Sequence, residues 1–444
     1  MGVDFMQFLK YNQNINFSRA HMKKISVVVV IIMLALSLSV GVAVVCDVFT
    51  PEKPVVYVEF STSRVDGYTT IYTPKDYDLK ILQLTDPQQK YPVNDYEYIG
   101  GSNEGTFVFI ERLVKATDPD LVVITGDIVM SQMMNNYSYF LEYGEFFEEL
   151  GVYWAFTFGN HDCEGSYVYE TNNHEDLFGQ RTKETIVKTM RAFPHCLIVK
   201  GDAEKGGGVG NYFINVREQE TEEIKYTLCM MDCVYEPQED EYHREKTPEQ
   251  IAWYEKHINN ISDLKYGENR KSDEVVKSMV FTHVPVPEIF DAFESAWNNG
   301  NPNENYCYGD WVEGSNSNAQ YNSCQFFEKC KELGSTTAMF SGHWHSNGFD
   351  VIYDGIHLVF GQHSGVSHYY RVDIIRGQYN TYDMRDIFAY GDERGGTMIT
   401  IDTEDESFEI NQILARDTIK YDDLAIDYEE LYLTLVDYGD DVIR

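Results

Sequence analysis

The stretch VYWAFTFGNHD, residues 152–162, holds the pattern on which the fold turns. Val152 to Phe158 is a short apolar run rich in aromatic and β-branched side chains, as a buried strand is. It stops at Gly159, and Asn160, His161 and Asp162 follow at once. Polar side chains gathered where a buried strand ends are the usual site-bearing positions of an α/β fold.

Two earlier runs follow the same plan. LKILQLTD (79–86) ends on Asp86, with Pro87 and Gln88 next, and LVVITGD (121–127) ends on Gly126-Asp127. Helical stretches at 104–117 and 139–150 separate the three runs, and this alternation predicts an α/β domain. Further strands are expected at 224–233, 277–285 and 336–345. The second of these carries His283, and the third ends in Gly342-His343-Trp344-His345. Thr247-Pro248-Glu249-Gln250 predicts a helix start, with Thr as N-cap, Pro first and Gln third. Beyond residue 346 the runs VIYDGIHLVFG, RVDII and GTMITID add strands. Residues 288–323, rich in Asn, Gly and aromatics, read as a lid loop, in which Trp297, Tyr306 and Trp311 line a substrate or simply pack together. With no internal repeat and no linker, residues 79–421 read as one domain, preceded by a strand-forming arm (46–78) and followed by an acidic helix (422–444).

Bulk properties narrow the function. The chain has 444 residues and a formal net charge of −37, although residues 1–46 are net basic. Such a surface repels phosphate backbones, so no nucleic-acid partner is expected. A phosphorylated small substrate would need a local positive centre, and no basic cluster supplies one. Residues 25–45 are uncharged and apolar, roughly 31 Å as a helix against a hydrocarbon core of about 30 Å. Lys23 and Lys24 precede them, which predicts a cytoplasmic tail (1–24), an anchor (25–45) and an extracellular catalytic domain. A cleaved signal and a secreted protein are the alternative. Membrane contact is expected through this segment alone, and no protein partner is implied. The eight cysteines, scattered along the chain, do not read as a disulfide framework. Cys229 and Cys233 lie too far apart along one strand to bond each other, and Cys307, Cys324 and Cys330 allow at most one bridge.

The strand-end clusters, taken in order, are Asp86-Pro87-Gln88, Gly126-Asp127, Gly159-Asn160-His161-Asp162, His283 and Gly342-His343-Trp344-His345. Singly each has an ordinary explanation: Asp86 and Asp127 as helix caps, Asn160 as a turn residue, His283 as a core histidine. Together they offer oxygen and imidazole donors suited to Zn²⁺, Mn²⁺ or Fe. Their order resembles the calcineurin-like metallophosphoesterase superfamily, whose pattern is DxH, GDxx, GNH followed by Asp or Glu, a lone His, and GHxH. The flanks FTHVPVPE and GHWHSNGF look most like its small purple-acid-phosphatase-related branch.

The resemblance implies a sandwich of two mixed β-sheets flanked by helices, and two divalent metal ions. Asp86, Gln88, Asp127 and His345 would hold one ion. Asp127, Asn160, His283 and His343 would hold the other, with Asp127 shared. A hydroxide held by the metals would attack phosphorus in line, His161 would protonate the leaving oxygen, and Asp162 would hold the other ring nitrogen of His161. Two departures qualify this. Gln88 stands where the family usually has His, a neutral and weaker ligand suited to Mn²⁺ or Mg²⁺. Met130 stands where purple acid phosphatases carry a ferric-iron Tyr, so no purple centre is implied. A phosphomonoesterase is the first expectation. A phosphodiesterase for cyclic nucleotides or lipid headgroups, or a non-catalytic surface binding protein, are the alternatives. His363 and His368 are weaker candidates near the site, and Arg371 either contacts phosphate or pairs with an acid.

Overall fold

The computed structural model describes residues 57–59, 67–89, 103–130, 136–163, 182–201, 208–233, 246–312, 325–365 and 394–415. All of them belong to the compact unit Val56–Arg444. The predicted tail, apolar segment (25–45) and acidic helix (422–444) lie outside the described residues, as do RVDII, His368 and Arg371. Among the described residues no helix is long and apolar enough to cross a membrane.

In chain order the elements are β1 (Tyr57–Glu59), β2 (Thr69–Thr73), β3 (Asp78–Leu84), α1 (Asn103–Thr117), β4 (Leu121–Thr125), α2 (Asn136–Leu150) and β5 (Tyr153–Thr157). Next come α3 (Lys183–Met190), β6 (Tyr212–Glu218), β7 (Ile224–Met231), α4 (Pro248–Tyr266), β8 (Ser278–Thr282), α5 (Glu288–Trp297) and β9 (Tyr306–Asp310). The rest are α6 (Gln325–Leu333), β10 (Thr336–Ser341), β11 (Gly348–Tyr353), β12 (Ile356–Phe360), β13 (Gly395–Asp402) and β14 (Phe408–Leu414). They form two mixed sheets, ordered β1-β2-β6-β7-β8-β10-β12-β11-β9 and β14-β13-β3-β4-β5, flanked by helices.

Period-two alternation places the two cores. On the large sheet Leu228, Met230, Phe281 and Phe340 join the core shared with β3, β4, β5 and their helices. Their neighbours Cys229, Met231, Val280 and Met339 pack on α4, α5 and α6. A strand covered on both faces must be apolar throughout, which is why these segments read as unbroken hydrophobic runs. The capping box at Thr247 is formed, with Gln250 N donating to Thr247 Oγ1 and the Gln250 side chain accepting from Thr247 N.

Register aligns the strand ends. Leu84 of β3 pairs with Ile124 of the parallel β4, and Thr125 of β4 with Thr157 of β5. In the large sheet, Phe281 of β8 pairs with Phe340 of the parallel β10. The residues that follow β3, β4, β5, β8 and β10 therefore leave their sheets at matching levels. Backbone bonds stitch these exits together: Asp86 N donates to Gly126 O, Gln88 N to Asp127 O, and Gly342 N to His283 O.

The lid reading of 288–323 is corrected for its described part. Residues 288–310 form α5, a short 3-10 turn and β9, and β9 pairs with β11. Ile289, Phe290, Ala292, Phe293 and Ala296 make a helical stripe buried against the large sheet. Phe290 packs against Trp311 and, edge to face, Trp344, and Phe293 stacks on Trp297 and meets Tyr306 edge to face. The aromatic residues of this segment thus pack among themselves and under the loop that carries His343 and His345.

Candidate metal centre

All seven expected ligands are brought together around one buried carboxylate, that of Asp127. On one side, His283 Nε2 lies 3.1 Å from Asp127 Oδ2 and 3.0 Å from Asn160 Oδ1. His343 Nδ1 is 2.9 Å from the same Asn160 oxygen. On the other side, Gln88 Nε2 lies 3.3 Å from Asp127 Oδ2 and 2.9 Å from His345 Nε2. His345 Nε2 is 3.4 Å from Asp86 Oδ1. Donor atoms of Asp127, His283 and His343 all fall within 4.8 Å of one another, and so do those of Asp86, Asp127 and His345.

The backbone is bent to make this possible. Asp86 (φ 53°), Gln88 (φ 43°), Asp127 (φ 51°) and His343 (φ 83°) all adopt left-handed conformations. Such conformations are uncommon outside glycine, and sparsely populated ones cost on the order of 1–3 kcal/mol each. Side chains fix them. His343 N donates to Asp86 Oδ2 and His161 N donates to Asp127 Oδ1, both at 2.9 Å. Two glycines make room. A Cβ on Gly159 would fall on Asp127 Oδ1, and one on Gly342 would fall on Thr85 Oγ1 and Asp86 Oδ2. The glycines of GNHD and GHWH are therefore required by the close approach of neighbouring strand ends.

The electrostatics call for a cation. Asp86 and Asp127 are buried, and among the described residues no lysine or arginine pairs with either. Asp86 Oδ1 faces His345 Nε2 at 3.4 Å, beyond a firm hydrogen bond. His283 stands in for positive charge. Its Nδ1 faces Thr125 O at 2.9 Å and its Nε2 faces two acceptors. Burial opposes its charge, but the carboxylates of Asp127 and Asp86 lift it to about 9. Burial works against the Asp127 carboxylate too, yet His283 and His161 hold it well below the usual range. His343 is pushed down to about 3, by burial first and the charge of His283 second. A neutral imidazole, a displaceable proton on a second, an amide oxygen and a shared carboxylate form a donor set that fits a divalent cation. Gln88 fits once its amide is turned so that Oε1 takes the place of Nε2.

One expected contact is corrected. Asp162 does not spend its carboxylate on the ring of His161. Oδ2 accepts from the amides of Asp127 (3.0 Å) and Gly159 (2.7 Å), and Oδ1 from that of Val129 (3.0 Å). A buried carboxylate beside three amide donors satisfies them first. Asp162 thus ties the ends of β4 and β5 together, and burial with the nearby Asp127 charge raises it to about 7. His161 keeps an outward position: its side chain is 27% exposed, with Nε2 3.9 Å from Asp127 Oδ2.

Thr125 and Thr85 also serve the site, though nothing in the sequence reading singles them out. Thr125 O receives His283 Nδ1, and Thr85 Oγ1 donates to Asp86 Oδ2 at 2.7 Å. Their one signal is position, a strand-end threonine just ahead of each cluster. His363 is buried and stacks on His345 with ring centroids 5.0 Å apart.

This chain belongs to the calcineurin-like phosphoesterase family, whose sequence model matches residues 79–347. It is similar to the Arabidopsis thaliana protein named probable inactive purple acid phosphatase 14, 24% identical over 72% of this chain and 79% of that one. It is also similar to probable inactive purple acid phosphatase 29 of the same plant, 23% identical over 59% of this chain and 63% of that one. Among solved structures, a purple acid phosphatase from yellow lupin (Lupinus luteus) seeds aligns with a TM-score of 0.39 and 14% identity, over 80% of this chain and 57% of that one.

Proposed function

We propose that this protein hydrolyses phosphomonoesters at a pair of divalent cations that share Asp127. The observation that carries this reading is the position of Asp127 Oδ2, which lies 3.1 Å from His283 on one side and 3.3 Å from Gln88 on the other. Asp86, Gln88, Asp127 and His345 would hold one ion, and Asp127, Asn160, His283 and His343 the other. Once bound, such a pair lowers the pKa of water towards neutrality and offsets the charge of a phosphoryl group. The donors suit Mn²⁺, Zn²⁺ or Fe²⁺. His161, fixed by its backbone to Asp127 and partly exposed at its side chain, is the group that protonates the departing oxygen. The apolar segment 25–45 behind Lys23 and Lys24 supports a catalytic domain outside the cytoplasm.

A second reading, a binding protein without turnover, has specific support. Two relatives are named as inactive, Gln88 replaces an expected imidazole, and Asp162 is engaged by backbone amides. The deciding experiment strips the purified protein of metal and restores Mn²⁺, Zn²⁺, Fe²⁺ or Mg²⁺ singly. Hydrolysis of p-nitrophenyl phosphate is compared with that of bis-p-nitrophenyl phosphate. Metal-restored turnover with the monoester preferred is expected. Preference for the diester makes it a phosphodiesterase, and bound metal without turnover on either ester supports the binding protein.

A further inference from the structure

A second group of metal-ligating side chains lies at the β9 edge of the large sheet and uses none of the residues around Asp127. Asp350 of β11 is buried. His357 of β12 places Nδ1 2.9 Å from Asp350 Oδ2 and 3.0 Å from Oδ1. Cys307 of β9 hydrogen-bonds the same carboxylate. The sulfur, one carboxylate oxygen and one imidazole nitrogen all lie within 4.8 Å of one another.

Cys307 owes its place to an irregularity in strand pairing. Tyr308 stands opposite Asp350 and Tyr306 opposite Val351, so Cys307 is an extra residue on β9. In a regular strand Cys307 and Tyr308 would point to opposite faces. A bulge re-aims a side chain locally, and such features recur beside functional sites. Here it brings a thiol onto the face that carries Asp350 and His357.

We propose that Cys307, Asp350 and His357 bind one borderline divalent cation, with Zn²⁺ the best match. Thiolate, imidazole and carboxylate are the three donor types of zinc sites, and sulfur disfavours Mg²⁺ and Ca²⁺. The three ligands leave a fourth position for water, and Cys307 is exposed, which gives the ion a path from solvent. The charge balance also favours a cation. Among the described residues Asp350 pairs with no lysine or arginine, only with His357. Binding exchanges the thiol proton, released to solvent, for the metal–sulfur bond, with no change of oxidation state. The ion would join three neighbouring strands and clamp the edge strand β9 to the sheet.

The test titrates the full-length, metal-stripped protein with Co²⁺ and follows thiolate-to-cobalt charge-transfer absorption in the near ultraviolet. No residue of the Asp127 cluster carries sulfur, so the band does not come from that centre, and its loss in Cys307→Ser assigns it to this site among the free thiols, whether or not the protein proves to be a phosphoesterase. The expected result is a band that saturates with one sulfur-bound Co²⁺ per chain and is displaced by Zn²⁺. It is absent in Cys307→Ser and weakened in His357→Gln, both with unchanged circular dichroism and unchanged absorption from cobalt at the Asp127 cluster. Absence of the band in the parent protein, or its persistence in Cys307→Ser, overturns the proposal. So does peptide mapping without reduction that finds Cys307 bonded to Cys324.

Discussion

Asp127 separates two half-sites of different make. On one side stand two imidazoles, His283 and His343, with Asn160 between them at 3.0 and 2.9 Å. On the other stand a single imidazole, His345, the carboxylate of Asp86 and the neutral amide of Gln88. The first half is the stronger nitrogen site and the second the harder, oxygen-rich one. The contrast teaches that one carboxylate can stand between two unequal donor sets; on the proposed reading, affinity and metal preference would follow the residues on each flank.

The comparison breaks most completely at the residue common to both halves. Asp127→Asn should remove both ions and all measurable turnover, read by elemental analysis of the dialysed protein. Retention of two ions would end the shared-carboxylate reading. Next in size, His161→Ala should lower turnover by about 10²–10⁴-fold while leaving metal content unchanged, as expected of a proton donor that is not a ligand. Loss of metal instead would move His161 among the ligands.

Substitutions confined to one flank sharpen the contrast. His283→Ala should empty its half-site, whereas Gln88→His should tighten the opposite one by about tenfold, worth roughly 1.4 kcal/mol. Equal responses to the two changes, measured by competitive Zn²⁺ titration, would show the halves to be equivalent. The proton on His283 gives a pH signature of the same asymmetry. Its imidazole holds a proton up to about 9 in the metal-free protein, and a cation must displace it. Affinity at that half should therefore weaken by about tenfold per pH unit below this value and level off above it. Calorimetry in buffers of different ionisation heat would detect the released proton. Gly159→Ala tests the close approach itself: its new Cβ would fall on both Oδ1 and the backbone N of Asp127, so it should displace the shared carboxylate and lower both the metal content and the melting temperature.

Much of the centre was legible because buried strands are short, apolar and end abruptly. Asp86, Asp127, Asn160, His283, His343 and His345 all stand where such a run stops, and the glycines beside three of these clusters mark the close approaches. The helix α5 was missed because Asn, Gly and aromatic residues follow it and hide the Ile289, Phe290, Phe293 and Ala296 stripe. The role of Asp162 was misread because a GNHD motif says nothing of which backbone amides await a carboxylate.

The sequence by itself determined the α/β class, the strand ends and the chemistry of the donors, since those depend on local periodicity and residue type. Only the tertiary structure decided that Asp162 serves the backbone, and that the aromatic segment packs under the histidine loop as helix and strand. It alone brought Cys307 to Asp350 and His357. These outcomes depend on register and on contacts between residues far apart in the chain, such as Asp350 and Cys307 across a bulged pair. No short-range pattern encodes such contacts, because they arise only when sheets close and buried polar groups must find partners.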